Sequence, residues 1–433
     1  MSRVRVVGGG MAGSEAAMQL ARLGHEVELW EMRPRVSTPA HQTGELAEIV
    51  CSNSFGGEEL HTPAGVLKAE MRRLGSLLLE VADTCRVPAG GALAVDRAEF
   101  ARGVTQRIEA QPGIRIVRDE VRAVPEAPAI VATGPLTGSD LAGDILRRFG
   151  PLLAFHDAAA PIVTRESLDL DVLFRADRYG RGHGDYLNAA MDQATYDAFW
   201  EALVGAEVTP GHDFEDVRVF EGCMPVEVMA ARGRDTLRFG PLRPVGITDP
   251  RTGRRPHAVV QLRQDDTLGQ LYNLVGFQTR LRWGEQRRVF RMIPGLEAAE
   301  FVRYGVMHRN TFLNSPRLLE ATLECRSEPG LFFAGQLVGV EGYMESAAAG
   351  ILAARNLDRR LRGLTPQVPP PDTMLGALVR YVAQADPDHF QPMNANFGLL
   401  PPMERPPADR RERKLVMAQR AVSAMERFMA AGS

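Results

Sequence analysis

A chain of 433 residues with 45% hydrophobic and 24% charged residues has an ordinary globular composition, and at roughly 100–200 residues per domain its length calls for two or three domains. A net charge of −3 weighs against a sequence-blind, polycationic nucleic-acid coat protein, and no apolar run approaches the roughly 18 residues that span a bilayer. Met1-Ser2-Arg3 runs straight into a strand with glycines behind it, which is no secretory signal, so the expected location is the cytoplasm. Val4, Val6 and Val7 predict a short buried strand, and Gly8-Gly9-Gly10-Met11-Ala12-Gly13 a turn. Ser14–Leu23 predicts a helix with small or apolar residues at Ala16, Ala17, Leu20 and Leu23, stopped by Gly24; Val27–Glu31 predicts a second strand. The order is that of a βαβ unit.

From Val36 to Gly57 the pattern is irregular and rich in Ser, Thr, Gly and Asn, a length that in a compact domain is functional or disordered. Helices are expected over 64–82 and 97–110. Strands are expected over Ile114–Val117 and Ala129–Ala132, the latter running into Thr133-Gly134-Pro135. Over 151–299 strands alternate with loops and with helical stretches such as Asn188–Leu203, as in an inserted domain. The opening pattern returns at Gly330-Leu331-Phe332-Phe333-Ala334-Gly335, and a long helix, Glu345–Leu361, closes on Gly363. A Pro-rich linker at Thr365–Pro371 leads into a helical tail. The expected architecture is α/β: a Rossmann-like two-segment dinucleotide-binding domain (1–150 plus 300–364), an inserted α/β domain (151–299) and a C-terminal helical segment (365–433).

Gly8-x-Gly10-x-x-Gly13 between a strand and a helix has a physical logic. The first glycine permits the turn, the second lets backbone amides approach a pyrophosphate, and the third lets helix and strand pack closely. The helix start then offers unpaired N–H groups and partial positive charge to phosphates. Glu31 ends the second strand, where an acid accepts hydrogen bonds from ribose hydroxyls, which favours FAD or NAD over NADP at this site. Near the other end, Gly335, Gly339 and Gly342 precede a small-residue helix start, Glu345-Ser346-Ala347-Ala348-Ala349-Gly350. Together with Ala132-Thr133-Gly134 this resembles the closing and middle motifs of two-segment FAD proteins, so FAD is the expected cofactor.

The four cysteines, 51, 85, 223 and 325, form no Cys-x-x-Cys pair, and the nine histidines show no His-x-x-x-His spacing, so no metal is expected. Two cysteines sit in motifs: Cys51-Ser52-Asn53-Ser54 and Phe220-Glu221-Gly222-Cys223-Met224-Pro225. With Gly10–Ala17, Glu31-Met32-Arg33-Pro34, Tyr304–Thr311 and Gly335-Gln336-Leu337 through Gly342-Tyr343, they make the chain resemble, nearly end to end, the folate- and FAD-dependent tRNA (uracil-5-)-methyltransferases. The resemblance implies methylation of the T-loop uridine at position 54 of tRNA. It implies 5,10-methylenetetrahydrofolate as carbon donor, and FAD reduced by NADH or NADPH as source of reducing equivalents. The chemistry suits a thiolate: added at C6 of uracil, it makes C5 nucleophilic, and a base then removes the C5 proton.

By this resemblance Cys223 is the thiol that adds to C6 and Cys51 a second active-site thiol; the sequence does not order the two. Cofactor contacts are expected from Gly8, Gly10, Met11, Ala12, Gly13, Glu31, Met32, Arg33, Thr133, Gly134, Gly335, Gln336, Gly342 and Tyr343, and substrate contacts from His308 and Asn310. A basic run, Arg280, Arg282, Arg287, Arg288 and Arg291 around Trp283, is a candidate phosphate-binding face, as is Arg410, Arg411, Arg413 and Lys414. The target base has to leave the T-loop stack to react. The competing readings are a related FAD-containing subunit that modifies the tRNA wobble uridine, a flavoprotein that only scaffolds tRNA, and a flavin oxidoreductase for a small metabolite.

Overall fold

The computed structural model describes residues 2–180, 183–209, 224–305 and 307–431. A five-stranded parallel sheet lies at its centre, in the order Leu331–Phe333, Ala129–Val131, Arg3–Val7, Glu26–Trp30, Ile114–Val117. Leu331–Phe333 and Ala129–Val131 are wholly apolar and buried, as strands covered on both faces require, whereas Arg3–Val7, Glu26–Trp30 and Ile114–Val117 also carry charged residues, among them Arg3, Glu28 and Arg115, which pair with one another. The helix Met11–Arg22 follows the opening strand and packs against the long helix Tyr343–Leu361. The approach is backbone to backbone: a Cβ on Gly350 would lie 2.1 Å from the carbonyl oxygen of Ala12. The first and last thirds of the chain therefore share one hydrophobic core.

A second sheet has six antiparallel strands, in the order Phe174–Arg175, Tyr186–Met191, Ala258–Gln264, Leu271–Leu274, Ile162–Thr164, Phe301–Arg303. It covers a separate core with the helices Gln193–Val204, Val226–Ala231 and Trp283–Phe290. The paired strands Leu153–Ala158 and Met307–Phe312 carry the chain out to this sheet and back. A small three-stranded sheet, Ser54–Gly57 with Ala92–Val95 and Arg86–Val87, sits beside the central one. The tail adds the helices Met374–Gln384 and Arg410–Ala431.

Two local expectations are corrected. The stretch 64–82 is two helices, Pro63–Arg73 and Leu77–Ala82, because Gly75 turns left-handed (φ 76°) and Ser76 caps the second with its hydroxyl on the Leu79 N–H. Residues 188–191 of the expected helix Asn188–Leu203 belong instead to the strand Tyr186–Met191, and the helix starts only after Asp192, whose carboxylate caps Thr195. Sheet pairing on both sides of Tyr186–Met191 outweighs the helical propensity of Ala189-Ala190-Met191. Among the described residues no helix is long and apolar enough to cross a membrane.

Candidate functional site

The glycine turn is shaped by what it touches. Gly8 is left-handed (φ 102°), and a Cβ there would come within 2.5 Å of Ala132 O; one on Gly13 would meet Gly8 O at 1.7 Å. Gly10, at the N-cap of the first helix, has nothing within 4 Å of where its Cβ would be. Side chains are thus barred where strand and helix close on each other, while the helix start is left open to a cavity. That cavity, of about 1050 Å³, is lined by Gly8, Gly10, Met11, Ala12, Glu31, Met32, Arg33, Thr133, Gly134, Gly335, Gln336 and Tyr343. Gly13 stands behind its wall as packing, and Gly342 borders the adjoining cavity instead.

Glu31 sits at the cavity floor, 5% exposed. It accepts from the Gly9 N–H (2.9 Å), the Arg33 N–H (2.9 Å) and Arg33 Nε (2.8 Å). Burial pushes its carboxyl up, but the hydrogen bond and charge of Arg33 and the two backbone N–H groups outweigh burial and hold it below its usual value. Arg33 is itself fixed by Glu48 at 2.9 Å. On the same wall Trp30 Nε1 is a buried donor with no partner among the described residues. An open helix start, a held carboxylate and a spare indole N–H are a donor and acceptor set for a phosphate-linked ribose.

A second cavity, of about 1620 Å³, shares Val50, Pro135, Leu136, Gln336, Tyr343 and Ser346 with the first, and adds Cys51, Asn310, Glu341, Gly342 and Glu345. Tyr343, on the boundary, opens the closing helix. Its hydroxyl accepts the N–H of Val50 (3.1 Å) and of Cys51 (2.8 Å) and lies 2.9 Å from Cys51 Sγ. A phenol oxygen has two lone pairs, and both are used by these amides. The O–H therefore donates to the sulfur, which suits a thiolate better than a thiol. Burial first, and then Cys51, push the Tyr343 hydroxyl well above its usual range, so it stays a donor.

Three arginines from distant segments hold the Cys51 loop. Arg97 donates to the carbonyls of Ile49 and Cys51, and Arg303 to that of Val50. Arg263 reaches Asn53 Oδ1 (2.9 Å) and Ser52 Oγ (2.8 Å). Asn53, fully buried, donates to Val95 O and Gln264 O, tying the loop to the second sheet. Asp265 pairs with Arg97 at 2.7 Å. None of these arginines was singled out from the sequence: Arg97 reads only as a helix start, and no local pattern marks Arg263 or Arg303.

The remaining expectations divide. Asn310, 3% exposed, lines the second cavity with Cys51. Cys223 lies outside the described residues, as does the side chain of His308, whose backbone belongs to the strand Met307–Phe312. Cys85 and Cys325 are buried, and burial, with the nearby carboxylates Asp96, Glu99 and Asp83, pushes the Cys85 thiol to about 12, which makes it inert. The basic run lines neither cavity. Arg280 lies 3.7 Å from Glu227, Arg282 pairs with Glu207 and Arg288 with Glu285, so much of its charge is compensated.

A model of the family described as "Glucose inhibited division protein A" matches residues 3–365. The chain is 61% identical over 424 residues to a protein of Moorella thermoacetica, covering 97% of each, and 58% identical over 429 residues to one of Desulforudis audaxviator, covering 98% of each. Both relatives are named methylenetetrahydrofolate–tRNA-(uracil-5-)-methyltransferase TrmFO. Among solved structures it is similar to Aquifex aeolicus GidA, with a TM-score of 0.67 at 18% identity over 98% of this chain and 73% of the other.

Proposed function

The chain belongs to the TrmFO group of the glucose-inhibited division protein A family, and on that premise we propose that it is a tRNA methyltransferase that forms 5-methyluridine at T-loop position 54 with 5,10-methylenetetrahydrofolate as carbon donor. The observation that carries this reading to particular residues is the pairing of Cys51 with Tyr343 where the two cavities meet. FAD suits the first cavity: its pyrophosphate on the open helix start at Gly10, Met11 and Ala12, its ribose on Glu31, and its ring end toward Thr133-Gly134, Gly335-Gln336 and Tyr343. FAD, when bound, supplies hydride chemistry, with NADH or NADPH as the source of electrons. The second cavity, wide and bordered by Cys51, Asn310 and the carboxyls of Glu341 and Glu345, suits the folate and the extruded uracil.

The thiols do the work at uracil. One adds to C6, turning the ring into an enolate that is nucleophilic at C5; after transfer of the methylene carbon the C5 proton leaves and the C6–sulfur bond breaks, and a hydride, which reduced FAD would supply, brings that carbon to the methyl level. Cys51, accepting a hydrogen bond from a neutral phenol, fits either the addition or the proton removal, and Cys223 takes the other role. The test is incubation of the FAD-loaded protein with unmodified tRNA, labelled methylenetetrahydrofolate and NADH or NADPH. Label in 5-methyluridine at position 54, lost in Cys51→Ala and Cys223→Ala, is the expected result. Label at the wobble uridine, or none, overturns the reading.

A further inference from the structure

Trp283 opens the helix Trp283–Phe290 and is 63% exposed. Its indole is not loose. It lies parallel to the Tyr304 ring (centroids 5.3 Å apart, interplanar angle 12°), and Tyr304 lies parallel to Phe301 (5.4 Å, 13°). Phe301 packs against Phe290 and the core of the second sheet. The result is a stack of three rings, anchored at one end in the core and ending at the other in an indole face turned to solvent. Parallel offset rings are a favourable arrangement, and an indole so supported loses little further freedom when a flat group settles on it.

The charge beside the stack points to the kind of partner. Arg287 Nη2 donates to the Tyr304 hydroxyl at 2.8 Å, and Arg287 is exposed with no carboxylate partner among the described residues, whereas Arg280, Arg282 and Arg288 each have one. An exposed guanidinium, held by a ring hydroxyl and with no carboxylate partner among the described residues, at the edge of an open ring stack is the pairing that binds an unstacked nucleotide: base on the ring, phosphate on the arginine. The strand Phe301–Arg303 that carries the innermost ring also carries Arg303, whose guanidinium holds the Cys51 loop. The platform and the thiol are thus fixed to one strand.

We propose that the Trp283–Tyr304–Phe301 stack is a platform for an unpaired nucleobase of the tRNA, with Arg287 contacting the adjoining phosphate. The proposal rests on the reading that tRNA is the substrate. Every base has a π face, so the platform recognises an unstacked nucleotide rather than a sequence.

Equilibrium binding of unmodified tRNA to the full-length, FAD-loaded chain tests it, with wild type, Trp283→Ala, Trp283→Phe, Arg287→Ala and Phe239→Ala compared. Phe239 is 84% exposed and has no ring partner among the described residues, which makes it a control for exposed aromatic surface as such. Losing the indole should raise Kd by between about fivefold and about a hundredfold. Trp283→Phe should recover most of the affinity and Phe239→Ala should match wild type. Arg287→Ala should reduce the slope of log K against log salt by about one. Wild-type affinity in Trp283→Ala, an equal loss in Phe239→Ala, or a change of oligomeric state in Trp283→Ala without loss of tRNA overturns the platform alone. A wild type that binds no tRNA overturns the platform through the reading beneath it.

Discussion

Tyr343→Phe removes one atom and three interactions. The lost hydroxyl accepts from the Val50 and Cys51 N–H groups and donates to the Cys51 sulfur. Each amide left unsatisfied in a buried place costs about 1–3 kcal/mol, so the Cys51 loop loses at most about 2–6 kcal/mol of its hold, the upper end if no water enters. The sulfur loses a donor to its charged form, a hydrogen bond of about 1.5–3 kcal/mol, so its alkylation should require a higher pH. The ring stays, edge-on to Phe55 at 5.9 Å, so the closing helix should still form. The assay is the rate of iodoacetamide alkylation of Cys51 against pH in a Cys223→Ser background, FAD bound; Cys85 and Cys325 are buried and should not interfere. An unchanged midpoint would refute the assignment of the hydroxyl proton to the sulfur. A midpoint shifted down would mean that the sulfur had been the donor.

Two further outcomes follow from packing and charge. Gly350→Ala places a methyl 2.1 Å from Ala12 O, where both partners are backbone; we expect a loss of about 1–3 kcal/mol or more in stability and weaker FAD retention, because Ala12 lines the dinucleotide cavity. Wild-type melting and FAD affinity in this variant would show that the two helices are not in register as described. Burial pushes Glu15 to about 7 and Glu70 to about 8, although Glu15 accepts from the Leu77 and Leu78 N–H groups and Glu70 from those of Met374 and Leu375. The folded state then keeps protons that an unfolded glutamate releases near 4.5. Between those values the native state binds more protons than the unfolded one, so stability falls as pH rises through this window and levels off above about 8. Glu70→Gln should flatten the upper part of that decline in melting curves taken between about pH 5 and about 9. A wild-type stability that climbs over the same range, relative to the variant, would contradict the protonated carboxyl.

What was legible in the sequence is what local sterics dictate. The strand at Ile114–Val117 and the opening βαβ unit follow from short apolar runs bounded by glycine, and Gly8, Gly9 and Gly13 of the turn are each forced by a neighbour at close range, while Gly10 leaves the helix start open. The strand Tyr186–Met191 was not legible, because its partners are Phe174–Arg175 on one side and Ala258–Gln264 on the other, and only their pairing makes Asn188-Ala189-Ala190 extended. The break at Gly75 was readable as a helix stop but lies in a continuous apolar pattern. The convergence of Arg97, Arg263 and Arg303 on one loop joins residues between about 46 and 253 positions apart, a relation with no signature in either neighbourhood. The basic run around Trp283 shows the converse: its charge was visible, but the carboxylates of Glu207 and Glu227 that compensate it lie more than fifty positions away.

The closing helix has a consequence for biosynthesis. Gly335, Gln336, Tyr343 and Ser346 complete a cavity whose floor is laid down by residues 8–12 and 30–33, and the strand Leu331–Phe333 finds its parallel partner, Ala129–Val131, in the first third of the chain. A ribosome-bound chain that has not yet exposed this segment holds the glycine turn without its lid of backbone, and its parallel sheet lacks an edge strand. Cofactor capture must therefore wait until the chain has emerged through Ser346, and the antiparallel sheet, whose strands all lie between residues 162 and 303, can assemble while the flavoprotein half is still waiting for its last strand.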